Sequence, residues 1–211
     1  MKKLNIGIIG SGAIGGLLGT RWAQAGHQVM FSSRNPEKLK PLAQKAGVNA
    51  HVGTVEEAAD FGEIVLLAIN YGTLEQAKAQ LGNRLDGKIV IDTTNPIVTT
   101  NEGNYRTIKT AGKTAGEIMA AHFPNATIIK SFTTLWSKYL EDEAFKEQDP
   151  LIMPVSGDDT QAKEVVAELV RQTGFAPYDI GQLKDSSIQD PGSPAWNVRL
   201  TLEQFEALLV A

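Results

Sequence analysis

Leu4-Asn5-Ile6-Gly7-Ile8-Ile9 runs without a break into Gly10-Ser11-Gly12-Ala13-Ile14-Gly15, and that join constrains the chain more than any other feature. An apolar strand, a G-x-G-x-x-G turn and the helical pattern of Leu17-Leu18-Gly19-Thr20-Arg21-Trp22-Ala23 form the opening unit of a doubly wound sheet that binds a dinucleotide. Gly10 permits the tight turn, Gly12 lets backbone N–H groups reach a pyrophosphate, and Gly15 lets the helix settle on the sheet. The anion then sits at the positive end of that helix. Gly10, Ser11, Gly12, Ala13, Ile14 and Gly15 are therefore the expected phosphate-binding residues.

The end of the second strand, about 20 residues downstream, decides between the two nicotinamide cofactors, because an acid there accepts hydrogen bonds from the ribose 2′-hydroxyl of NAD. No acid is present. Val29-Met30-Phe31 leads into Ser32-Ser33-Arg34-Asn35-Pro36-Glu37-Lys38, which offers hydroxyl donors, a fixed cation and a second cation one helical turn later. A phosphate suits this set better than a diol. Charge-assisted hydrogen bonds contribute about 1.5–3 kcal/mol each, so Arg34 alone shifts the preference toward NADP by about ten-fold to a hundred-fold. The alternative for this stretch is structural, with Ser33 capping a helix and Arg34 solvated.

Composition removes whole classes of function. The chain has 211 residues, 42% of them hydrophobic, and a net charge of −4. That suits one globular unit. No basic run is long enough to track a phosphate backbone, so nucleic acid is not expected as a partner. The longest apolar run, Ile64-Val65-Leu66-Leu67-Ala68-Ile69, is far too short for a bilayer span, and Met1-Lys2-Lys3 precedes a strand, not a signal-peptide core. A cytoplasmic location is expected. With no cysteine and three scattered histidines, disulfides, thiolate catalysis and a metal centre drop out.

Strand and helix signals alternate along the chain. Pro36 to Ala46 reads as a helix stopped by Gly47, Thr54-Val55-Glu56-Glu57 as a capping box, Glu63 to Ile69 as a buried strand, Thr73 to Leu81 as a helix and Lys88 to Asp92 as a strand. From Ile97 to about Gly112 the pattern lapses, and a loop of that length reads as a lid. Order resumes with a helix over Thr114–His122, a strand over Thr127–Phe132, a helical stretch over Leu135–Phe145 and a strand over Pro150–Val155. A helix over Thr160–Thr173, a strand over Ala176–Ile180 and an amphipathic helix over Arg199–Val210 complete the chain. The expected architecture is α/β: a Rossmann-type, mostly parallel sheet forming one NADP-binding domain, with residues 181–211 as a C-terminal extension. Leu202, Phe205, Leu208 and Leu209 make an apolar stripe that either joins a homodimer or docks on the chain's own sheet.

Ligands bind outside the carboxyl ends of such strands. That rule selects Asn70-Tyr71, Thr94-Asn95-Pro96, Thr133-Thr134 and Gly157-Asp158-Asp159. Asn95 suits the ribose or carboxamide of the nicotinamide half, and Pro96 its ring; Asp158 or Asp159 is also a good helix cap. Ketone reduction needs a proton donor beside the carbonyl. His27 and His122 fall at the far end of the sheet and His51 near the adenine side, leaving Lys138 and Tyr139 as candidate donors. The pattern favours an acceptor that takes hydride on a heteroaromatic ring.

Several stretches together resemble the coenzyme F420-dependent NADP oxidoreductases, a family that includes the reductase domains of STEAP-type metalloreductases. They are Gly10-Ser11-Gly12-Ala13-Ile14-Gly15-Gly16, Ser33-Arg34-Asn35-Pro36-Glu37-Lys38, Asp92-Thr93-Thr94-Asn95-Pro96, Ala115-Gly116-Glu117-Ile118, Lys130-Ser131-Phe132-Thr133-Thr134-Leu135 and Val155-Ser156-Gly157-Asp158-Asp159. The resemblance implies that Ser33, Arg34 and Lys38 hold the 2′-phosphate of NADP, and that hydride passes between nicotinamide and a second ring in the cleft. Thr133 stands where F420-using members can place His, and Ser187 where an Arg usually begins the C-terminal segment. Ser186 to Asn197 differs from the usual helical entry.

The expected function is hydride transfer between NADP(H) and a ring-type acceptor, an F420-like deazaflavin or a flavin. Asn95 and Thr133 then flank the nicotinamide, and Trp196 faces the substrate, the core or a dimer partner. A reductase of a small carbonyl or imine and a non-catalytic NADPH sensor are the alternatives.

Overall fold

The computed structural model describes residues 2–99 and 105–210. Its centre is an eight-stranded sheet of β1 (Asn5–Ile9), β2 (Gln28–Ser32), β3 (Ala50–Gly53), β4 (Ile64–Leu67), β5 (Ile89–Asp92), β8 (Thr127–Lys130), β9 (Ile152–Gly157) and β10 (Ala176–Asp179), in the order β10-β9-β8-β5-β4-β1-β2-β3. The six strands from β3 to β8 run parallel in the doubly wound order, with the switch point between β1 and β4.

Strands buried on both faces divide their side chains by parity. Ile6, Ile8, Ile64, Leu66, Ile91 and Ile129 join the core under α1 (Ala13–Gln24), α2 (Lys40–Ala46), α6 (Ser137–Asp142) and α7 (Thr160–Gln172). Ile9, Val65, Leu67, Val90 and Ile128 join the opposite core under α3 (Val55–Phe61), α4 (Leu74–Leu81) and α5 (Ala115–His122). Trp22, fully buried, donates its indole N–H to the Leu169 carbonyl at 3.0 Å, tying α1 to α7. The capping boxes at Thr54 and Thr114 open α3 and α5, each with the glutamate three residues on.

Three sequence expectations are corrected. Pro36 to Ala46 is a 3-10 turn over Pro36–Leu39 followed by α2, because Pro41 renews a helix start inside the segment. The span read as a lid contains an antiparallel ribbon, β6 (Ile97–Thr99) with β7 (Tyr105–Thr107), in register Ile97↔Thr107 and Val98↔Arg106; its middle, 100–104, lies outside the described residues. Finally, β9 runs antiparallel to β8, with Ile129 opposite Gly157 and Lys130 opposite Ser156. Asp158 and Asp159 therefore leave the sheet at the amino ends of the parallel strands, away from the ligand edge. There Asp159 caps α7 by accepting from Ala162 N–H, and Asp158 accepts from Leu183 N–H.

The C-terminal extension folds back on the β9–β10 edge. A 3-10 segment, Leu183–Gln189, is followed by turns and then α8 (Leu202–Leu209). Phe205 is fully buried in a small cluster with Ile152 and Ala195, and its ring meets Tyr178 edge-on at 5.1 Å. Leu208 packs on the same cluster, while Leu202 and Leu209 face outward. The apolar stripe is thus divided, its inner half docked on the chain's own sheet. Among the described residues no helix is long and apolar enough to cross a membrane, and no cluster of His, Cys, Asp and Glu suits a metal ion.

Candidate functional site

The turn after β1 opens onto a cleft of about 720 Å³ along the carboxyl ends of the parallel strands. Gly10 has φ +94°, and a Cβ there would fall 2.2 Å from the Ala68 carbonyl oxygen. A Cβ on Gly15 would fall 2.1 Å from the Gly10 carbonyl oxygen, so the first turn of α1 closes directly on the loop. Around Gly12 there is open space within 4 Å, and the residue is exposed at the mouth of α1. No acidic side chain sits in that first helical turn. The loop thus presents a positive helix end and an uncovered backbone to the cleft, which fits a phosphate.

Ser11, Ala13 and Ile14 line the cleft with Gly10 and Gly12, and Ser33, Arg34 and Asn70 line it further on. Ser11 also works structurally: its hydroxyl donates to the Ser32 carbonyl at 3.1 Å and accepts from Ser32 N–H at 3.0 Å, pinning the loop to β2. The Ser33 hydroxyl accepts from Asn35 N–H at 3.1 Å, shaping the turn and leaving its own hydrogen free to donate. Arg34 and Lys38 are exposed and form no ion pair among the described residues. Arg34 lines the cleft; Lys38 stands outside its wall, on the 3-10 turn.

Asn95, Pro96 and Thr133 form a group beyond the cleft's lining. The Asn95 side-chain amide donates to the Thr133 carbonyl at 2.9 Å, joining the ends of β5 and β8. Asn95 Oδ1 and Thr133 Oγ1 are buried without a hydrogen-bond partner. Phe132, fully buried with φ +59°, makes the sharp turn that aims Thr133, and it is held by edge-on contact with Trp22 at 6.0 Å. Asn197 N–H donates to the Thr134 carbonyl at 2.7 Å, and Trp196 stacks edge-on against Tyr105 at 5.1 Å, linking the extension to the ribbon.

The candidate proton donors are displaced from this edge. Lys138 lines a separate groove of about 380 Å³ beside α1 and α2. Tyr139 lies beneath the Arg199 guanidinium, 5.2 Å from its ring centre. His27 is buried with Nδ1 accepting from Leu4 N–H and Nε2 against Gln172 Oε1, His122 reaches Glu75, and His51 sits on β3 beside Phe61.

A charged cluster of Asp92, Lys130 and Asp190, to which the sequence alone assigns no role, lies beside the cleft. Asp92 and Lys130 are direct partners across β5 and β8, and both side chains are fully buried. Lys130 Nζ donates to the Thr94 carbonyl at 2.8 Å and lies 3.7 Å from both Asp92 Oδ2 and Asp190 Oδ1. Asp92 Oδ1 accepts from Thr94 N–H, and Asp190 Oδ2 from Ala115 N–H at the start of α5. Burial pushes the Asp190 carboxyl above its ordinary pKa, and Lys130 pulls it back. Burial raises the Tyr71 hydroxyl, and Asp92 and Asp190 raise it further. A signal was present in the sequence: the apolar strands Ile89-Val90-Ile91-Asp92 and Thr127-Ile128-Ile129-Lys130 both end on a charge.

Comparison with known proteins matches residues 5–96 to the family described as NADP oxidoreductase, coenzyme F420-dependent. The F420-dependent NADP reductase of Methanocaldococcus jannaschii is 27% identical over 179 residues, covering 80% of this chain and 79% of that protein. The Rattus norvegicus metalloreductase STEAP3 is 31% identical over 181 residues, 84% of this chain but 34% of that protein, so the chain spans about a third of the length of the metalloreductases it matches. A solved structure, a candidate F420-dependent NADP reductase of Arthrobacter sp. FB24, superposes with a TM-score of 0.74 at 25% identity, covering 85% of this chain and 86% of that one. In its glycine loop, its doubly wound sheet and these matches, the chain is similar to the coenzyme F420-dependent NADP oxidoreductases.

Proposed function

We propose that the chain is an NADPH-dependent oxidoreductase that passes hydride to a planar ring acceptor, a deazaflavin or a flavin, and that residues 1–211 act as one NADP-binding unit carrying 181–211 as its substrate-side extension. The observation that carries the cofactor reading is the pairing of an open glycine loop with Ser33 and Arg34 across one cleft, which suits the 5′-pyrophosphate and the 2′-phosphate of one adenosine ribose. NADPH supplies the hydride from its nicotinamide ring. The chain's residues bind and orient it: backbone N–H groups from Gly10 to Gly15 hold the pyrophosphate, while Ser33, Arg34 and Lys38 hold the 2′-phosphate. Asn70 faces the ribose, and Asn95, Pro96 and Thr133 flank the nicotinamide. The unpartnered Asn95 Oδ1 and Thr133 Oγ1 suit a carboxamide N–H.

The ring acceptor is favoured because His27, His51, His122, Lys138 and Tyr139 are all engaged away from the Asn95–Thr133 edge. Reduction of a small imine or carbonyl needs a proton donor there, and Tyr71, beside Asn70 with its hydroxyl kept protonated, is the residue it would draw on. A homodimer through the outward Leu202 and Leu209 of α8 is part of the proposal, with molar mass by light scattering as its check.

The test is NADPH oxidation followed at 340 nm with F420, FMN, FAD, ferric chelate and a panel of imines and ketones. Selective turnover with one ring compound is the expected result. Turnover with imines alone would overturn the ring reading, and tight NADPH binding with no turnover would assign the chain as a sensor.

A further inference from the structure

The Asp92–Lys130–Asp190 cluster holds two carboxylates against one ammonium, and Asp92 Oδ2 and Asp190 Oδ1 have no hydrogen-bond partner. Leaving such oxygens orphaned in a buried site costs stability. Nothing in the packing requires that arrangement, since a neutral amide in place of either carboxylate keeps an oxygen for the N–H groups of Thr94 or Ala115. The surplus negative charge lies at the carboxyl ends of β5 and β8, against the backbone of Thr94. Thr93 lines the cofactor cleft. Tyr71, next to the cleft residue Asn70, is within reach of the field of both carboxylates.

We propose that this cluster is a built-in counter-ion for the oxidised nicotinamide, setting how much more tightly the chain holds NADP+ than NADPH. The nicotinamide ring is cationic when oxidised and neutral when reduced, so a fixed negative charge nearby stabilises the first form selectively. Positive charge also develops on the ring as hydride leaves, and preorganised charge aimed at that point lowers the barrier to donation. Asp92 and Lys130 belong to the sheet, but Asp190 comes from the C-terminal extension. The extension therefore completes the electrostatics beside the cofactor site.

This inference rests on the reading that places the nicotinamide beside Asn95 and Thr133. The experiment is a set of dissociation constants for NADP+, NADPH and 2′,5′-ADP with the full chain. Asp190→Asn should reduce the preference for NADP+ over NADPH about ten-fold, raising the potential of the bound couple by about 30 mV. The same variant should leave 2′,5′-ADP, which lacks the nicotinamide, unchanged. Asp92→Asn removes the same charge from the other side of Lys130 and should act in the same direction, so the test survives a folding defect in either variant. Asp190→Glu should keep the wild-type ratio. An unchanged NADP+ to NADPH ratio in a folded Asp190→Asn or Asp92→Asn protein overturns the counter-ion role. Asn95→Ala separates the two readings: it should weaken both nucleotides alike, and no effect on either would overturn the nicotinamide placement itself.

Discussion

Arg34 is the residue on which cofactor choice turns. Its guanidinium lines the cleft, is exposed, and has no carboxylate partner among the described residues, so its donors are available to a phosphate. Changing Arg34 to Ala should raise the apparent constant for NADPH at least ten-fold and leave that for NADH nearly untouched, in steady-state titrations of each. Equal losses for both cofactors would mean that Arg34 does not read the 2′-phosphate. Ser33 shows how a structural and a functional role share one side chain: its oxygen accepts from Asn35 N–H while its hydrogen remains to donate. Ser11 shows the opposite case. Both of its hydroxyl contacts are spent on β2, so its contribution to the phosphate is its backbone.

At the level of elements, the extension is held to the body through the end of α6. Glu143 accepts from Arg199 at 2.9 Å and pairs with Lys146, while the Arg199 guanidinium also covers Tyr139. The Lys146 ammonium and then the Arg199 guanidinium hold the Glu143 carboxyl below its ordinary value of 4.5. An acid whose pKa is lower folded than unfolded contributes stability that is present above the ordinary value and lost as pH falls through the depressed one. Amide protection factors in residues 199–209, each taken against the intrinsic exchange rate at the same pH, should therefore fall on acidification below about pH 4.5, and Arg199→Ala should show the lower protection already at neutral pH. A protection factor that stays constant with pH in the wild type would mean that this contact does not hold the extension. The ribbon β6–β7 was not legible in advance because three-residue strands carry no periodicity, and its pairing depends on Pro96 presenting its carbonyl to Ile108 N–H at 2.7 Å.

For the molecule as a whole, cofactor affinity and fold stability are linked, because the cleft is made of strand ends and helix starts that exist only when the sheet is assembled. At a free NADPH concentration about 100-fold above its Kd, the folded state gains about 2.7 kcal/mol, or roughly 5–10 °C in Tm for a chain of this size. Thermal unfolding with and without NADPH measures it, and an unchanged Tm would mean that the cleft is not the cofactor site. The linear sequence by itself determined the opening βαβ unit, the glycine loop, the cation that replaces the acid after β2, and the division of apolar side chains between two faces. Each of these follows from residues close together in the chain, where turn chemistry and period-two alternation act locally. Only the tertiary structure decided the direction of β9, which carries Asp158 and Asp159 to the opposite end of the sheet from the cleft. Only it joined Asp92, Lys130 and Asp190, whose partnership depends on strand register and on an extension returning from nearly a hundred residues away. Charges so far apart in sequence leave no local pattern, and it is their burial in one place that gives them an energy.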